Sequence, residues 1–385
     1  MRRSRAADQQ AGNTFFLSGV SDADPVYIGL RDSEHRAQDR QLVESQWIRF
    51  RRFCSGEAAR FRSEAARGCD ARLWEMSLGC LLLDNGHRLE KPTHREDAPD
   101  IKVVGPSGAI WIEATMAERG QGPDAVEEPP VIMIDDATTL EGAFSADGIM
   151  QPFTMVTAVV PDHARMILRY AAALKAKNAQ FSKFEQRGYV QAGEPTVVAM
   201  CAAPIPNGDI EHACLPDIVK AVFGLAEAQY VVPVLGASGP IDIHASPRDK
   251  ITKQSGITVP STWFSQRLAP NVSAVIFFPY SPLRVHDARS VIIVHNPCAQ
   301  VVLPRGTFRF GREWWVTPET SETGRLHCYG WRDIPRWARG NTIAPIAMKV
   351  VVVAERFHRR WQAAQDRLRR YRKRGRDRGR GFRVP

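Results

Sequence analysis

Asp100 and Glu113 lie on opposite arms of a segment that reads as a β-hairpin, 99–104 and 109–115, joined through Gly105-Pro106-Ser107-Gly108. With Pro106 and Ser107 as the loop, facing residue numbers sum to 213 and the two carboxylates fall opposite each other. Cross-strand Cβ atoms in such a pair stand about 4.5–5.5 Å apart, where like charges repel. A hard divalent cation, Mg²⁺ or Mn²⁺, would offset the repulsion. The plainer alternative is a turn with both charges in water. Against it, Ile110, Ile112 and Ala114 alternate with Trp111, Glu113 and Thr115, so the strand is apolar on both faces. A carboxylate there must be paired, protonated or bound to metal.

A third acid precedes the hairpin. Residues 71–83 have helix length and are apolar nearly all round, with Asp84-Asn85-Gly86 as the stop signal. Glu75 is the only side chain of a charged residue type between Leu73 and Leu83. An ion pair with Arg72 or Arg88 would explain it structurally, and a role in chemistry would explain it equally. After the hairpin, Asp162–Phe181 reads as an alanine-rich helix entered through Pro161-Asp162. At about 100° per residue its Arg169, Lys177 and Gln180 share one stripe, which either faces a common ligand or is a solvated face. The apolar run 194–203 then has the composition of a central buried strand.

Glu on a helix, Pro99-Asp100 at a strand start and Glu113-Ala114-Thr115 on the paired strand together resemble the PD-(D/E)XK, or restriction-endonuclease-like, nuclease superfamily. The resemblance implies an α/β fold with an αβββαβ core, a mixed central sheet flanked by helices and one or two Mg²⁺ (or Mn²⁺) ions. The implied metal ligands are Asp100, Glu113, the carbonyl of Ala114 and Glu75. Thr115 stands where the motif carries lysine. Either the chemistry is lost or another element supplies the lysine, and Lys177 is the best replacement, with Gln180 as its polar partner and Lys102 as a weaker candidate. The implied reaction is metal-assisted phosphodiester hydrolysis, with DNA favoured over RNA as substrate. The alternative is an inactive nucleic-acid-binding or structural protein on a decayed nuclease core.

Composition is ordinary for a globular chain of 385 residues, at 44% hydrophobic and 24% charged. The net charge of +10 is not evenly spread: residues 356–385 hold 13 Lys/Arg and 2 Asp, an excess of +11 that leaves the remainder at −1. Arg369, Arg370, Arg372, Lys373 and Arg374 form a stretch suited to phosphate backbones, or a solubilising end. Seven cysteines without a CxxC pair point away from a disulfide framework and from structural zinc. No apolar run reaches membrane-span length and no secretory h-region follows Met1, so the expectation is a cytoplasmic protein.

The expected organisation is a polar, poorly ordered segment 1–45, an α/β domain 46–345 and a basic tail 346–385. The domain's core covers about 60–205 and its sheet extension 206–345, with a long insertion at 119–150. Further strands are expected at 230–234, 272–278 and 290–297, and a helix at 215–225. His295, alone before Asn-Pro, reads as a turn residue. A homodimer is left open.

Overall fold

The computed structural model describes residues 14–352 apart from 21–22, 55–57, 93–97, 106–107, 128–161, 207–214, 232–241, 286–287, 319–322 and 331–348. The basic tail, including Arg369, Arg370, Arg372, Lys373 and Arg374, and most of the expected insertion lie outside the described residues.

The chain is mixed α/β, built on a nine-stranded mixed sheet with helices on both faces. Among the described residues four α-helices precede the strands: α1 (Pro25–Asp32), α2 (Ala37–Phe50), α3 (Ala58–Ala65) and α4 (Cys69–Asp84). Strands β1 (Arg88–Glu90), β2 (Ile101–Gly105) and β3 (Gly108–Met116) follow, then α5 (His163–Gln186), β4 (Thr196–Cys201) and α6 (Asp217–Phe223). Two small ribbons come next, β5 (Leu225–Val231) with β6 (Asp242–Pro247) and β7 (Lys250–Thr252) with β8 (Thr258–Pro260). The large sheet is completed by β9 (Ala274–Phe278), β10 (Ile292–His295), β11 (Arg312–Pro318), β12 (Thr323–Gly330) and β13 (Lys349–Val352). Its spatial order is β1-β2-β3-β4-β9-β10-β11-β12-β13. β3, β4 and β9 run parallel at its centre.

The hairpin register is the expected one: Ile101 faces Ile112, Lys102 faces Trp111 and Gly105 faces Gly108. Alternation along these strands sends Ile101, Ile112, Val197 and Ala199 to one face of the sheet, under Trp74 and Leu78 of α4. Trp111, Val198 and Met200 go to the other, under Tyr170, Leu174 and Phe181 of α5. α4 ends where the Asp84-Asn85-Gly86 signal predicts. The Asn85 amide N–H and its side-chain Nδ2 both donate to Leu81 O, and Gly86 takes φ +77°, a left-handed geometry that glycine adopts without penalty. α5 starts on its expected cap, with Asp162 Oδ1 accepting from the Arg165 N–H at 3.0 Å.

The N-terminal expectation is corrected. Within the expected segment 1–45 the described residues from 14 onward are not a polar appendage: Phe15, Tyr27, Leu30 and Val43 join Trp47, Phe50 and Phe61 in a separate core against Leu73, Met76 and Cys80 of α4. Charged residues between these apolar positions lower the average hydropathy, but helical spacing gathers them on one side. This layer explains why α4 is apolar all round: it is sandwiched between the sheet and α1–α3.

Gly79 permits the sandwich, since a Cβ there would lie 2.3 Å from Cε2 of the buried Phe50 ring. Gly79→Ala should therefore destabilise the fold by about 1–2 kcal/mol, overpacking outweighing the roughly 1 kcal/mol gained in helix propensity. Urea denaturation midpoints check this, and an unchanged or higher midpoint would contradict it.

Candidate active site

Glu113 sits two residues after Trp111 on β3 and so points to the α5 face, where it is 5% exposed. Its Oε1 accepts from Lys177 Nζ at 2.8 Å and from Gln180 Nε2 at 2.9 Å. Lys177 Nζ also donates to Gln180 Oε1 at 3.1 Å, which closes a triangle of three side chains. Lys177 and Gln180 can meet one oxygen because residues three apart are neighbours on a helix. The second carboxylate oxygen of Glu113, Oε2, is buried and has no hydrogen-bond partner.

Asp100 lies one residue before β2, just beyond the last ladder pair. Its Oδ2 accepts from the Ala114 N–H at 2.8 Å, so the carboxylate is held across the hairpin next to Glu113 by backbone. Glu75, 1% exposed on α4, accepts from Arg72 through Oε2, while its Oε1 is buried and unpartnered. Two buried carboxylate oxygens without partners in one acid cluster are costly for the bare protein.

The electrostatics agree with this crowding. Burial, then the charge of Asp100, pushes Glu113 up to about 7, with Lys177 opposing. Burial, again followed by Asp100, raises Glu75 well above the usual carboxylate range, with Arg72 opposing. Asp100 is raised by burial and held back by Arg72 and Lys177. Without a further cation the three acids favour protons.

The structure thus brings together Glu75, Asp100, Glu113, Ala114, Lys177 and Gln180. It does not bring Arg169 to them. That guanidinium lies against Gly120 and donates to the Asp124 carbonyl at 2.6 Å, fastening the loop after β3. Lys102 lies over the Trp111 ring and pairs with Glu90 at 3.3 Å. Thr115 remains a strand residue, in register with Met200 of β4.

Arg72, and not Arg88, is the partner of Glu75, and Arg88 pairs with Glu90 instead. Glu64 of α3, which contacts Arg72 at 3.2 Å, was not foreseen, because nothing in its local pattern points toward residues beyond its own helix. His295 is not an open turn residue. It is buried at the end of β10, with Nε2 2.8 Å from Glu313 Oε2 on β11.

Among the described residues, no three His, Cys, Asp or Glu side chains stand gathered to hold a metal ion. A metal here would take Asp100, Glu113 and the Ala114 carbonyl, with water filling the remaining positions. This all-oxygen set suits Mg²⁺ or Mn²⁺, which are commonly bound through one or two carboxylates. No helix among the described residues is long and apolar enough to cross a membrane. The chain matches no family model, no curated protein and no solved structure.

Proposed function

We propose that this protein is a Mg²⁺- or Mn²⁺-dependent nuclease that hydrolyses phosphodiester bonds, with DNA as the favoured substrate. One observation carries the reading: Lys177, 64 residues downstream on α5, donates to Glu113 inside a cluster in which one buried oxygen of Glu113 and one of Glu75 lack partners. A lysine from α5 occupies the role that Thr115 leaves vacant. The order α4-β1-β2-β3-α5-β4 supports the same reading, being the αβββαβ order of the PD-(D/E)XK core.

Asp100, Glu113 and the Ala114 carbonyl would hold the cation, with Glu75 reaching it through water. Bound there, the cation would lower the pKa of a water and offset charge on the scissile phosphate. Lys177 would orient the attacking water, or donate a hydrogen bond or proton to the developing oxyanion, from the position in which Glu113 and Gln180 hold its ammonium. Gln180 is the positioning residue of the set. Gln180→Ala should lower kcat about tenfold with KM little changed, because Lys177 loses one of its two tethers, and steady-state cleavage kinetics check it.

The deciding experiment is cleavage of single- and double-stranded DNA, with RNA alongside, in Mg²⁺, Mn²⁺ or EDTA, beside Asp100→Ala and Lys177→Ala. Cutting that needs metal and is lost in both variants supports the nuclease. Thr115 favours a second reading, a nucleic-acid-binding protein on an inactive core. Salt-sensitive binding without cleavage and without Mn²⁺ affinity would select it.

A further inference from the structure

Arg72 approaches the acid cluster from the side opposite Lys177. α4 covers the face lined by Ile101 and Ile112, and α5 the face lined by Trp111. The two cations therefore come from helices on opposite faces of the sheet. Arg72 Nη1 is held by the buried Glu75, and Nη2 reaches Glu64 Oε2 at 3.2 Å. The guanidinium also packs over the Phe61 ring, 5.5 Å from its centroid. Asp100 lies within its electrostatic reach as well.

The two acids holding the guanidinium differ in kind. The Glu75 side chain is 1% exposed and the Glu64 side chain 32%. Glu64 is also shared with Arg60, whose Nε lies 2.8 Å from Oε1. A half-exposed, shared ion pair of this type is weak and easily exchanged. A guanidinium with one arm fixed to a buried acid and the other on a replaceable one is pre-oriented for an oxyanion, since its planar fork matches phosphate as well as carboxylate.

We propose that Arg72 binds a backbone phosphate beside the scissile bond, and that Glu64 occupies that phosphate's place until the nucleic acid displaces it. The proposal rests on the nuclease reading and adds to it a second substrate-binding cation and an internal competitor. It also accounts for a charge problem: Glu64, Glu75, Asp100 and Glu113 outnumber Arg60, Arg72 and Lys177, so a polyanion needs a cation that can be released toward it.

The test is binding of a labelled duplex oligonucleotide, followed by fluorescence anisotropy in Ca²⁺ from 50 to 200 mM salt. Arg72→Gln should weaken binding about tenfold at low salt. The slope of log K against log salt should become shallower by about 0.9, one phosphate contact. Arg72→Lys should keep the slope and lose part of the affinity. Glu64→Gln, on a half-exposed helix face, should melt like the wild type and bind several-fold more tightly, so it tests the proposal even where Arg72→Gln fails to fold. Wild-type affinity and slope in folded Arg72→Gln, or no tightening in Glu64→Gln, would overturn the proposal and leave the nuclease reading intact. A wild-type protein that binds no oligonucleotide would sink both.

Discussion

Lys177→Ala is expected to lower metal-dependent cleavage about 10³-fold while leaving Mn²⁺ affinity within a few-fold of wild type. A positioned proton-transfer group contributes about 10²–10⁴-fold and an oxyanion donor about 10²–10³-fold, so either role for this ammonium predicts a loss of that order. Metal affinity is spared because the lysine is not a ligand. Asp100→Ala, which removes a proposed ligand, should abolish cleavage and metal binding together. Single-turnover kinetics and calorimetric Mn²⁺ titration on the same preparations separate the two patterns. Equal loss of Mn²⁺ affinity in both variants would mean that Lys177 only neutralises the acids. Full activity in Lys177→Ala would remove it from the chemistry.

In the absence of divalent cations, stability should fall as pH rises from about 4.5 to 7. Glu113 titrates at about 7 in the folded chain, against 4.5 ordinarily, so between these values the folded state holds a proton that the unfolded state has released. The stabilisation is complete below the lower value and lost above the upper one, at a cost of about 3 kcal/mol for the whole shift. Glu75 and Asp100, both raised by burial, act in the same direction. Thermal melts in EDTA between pH 5 and pH 8 measure the slope, and Glu113→Gln isolates this residue's share of it. The variant should melt higher than wild type at pH 8 and show a flatter profile. Mn²⁺ should raise the wild-type melting temperature at pH 8 by binding the folded state alone, and should do so little in the variant. Identical pH profiles for the two proteins would mean that Glu113 is ionised and adequately paired in the bare site.

Local features of this site were open to reading in the sequence because they depend on period and on near neighbours. The glycines flanking Pro106-Ser107 set the hairpin register, which aligned Asp100 with Glu113. The apolar run around Glu75 marked a buried helix with one acid inside that run. The three-residue spacing of Lys177 and Gln180 placed them on one face, where both now meet one oxygen.

Period fixes the face of a helix but not the height along it or what it meets. Arg169 shares the stripe of Lys177, yet lies eight residues earlier, about 12 Å along the axis at 1.5 Å per residue. It therefore meets Asp124 and not Glu113. The layer α1–α3, the choice of Arg72 over Arg88 and the contact from Glu64 likewise depend on surfaces built from distant segments. The sequence alone determined which residues could do chemistry and on which local faces they lie. Packing of α4 and α5 on opposite faces of the sheet decided which of them meet, because burial against a common sheet brings together side chains that no local spacing relates.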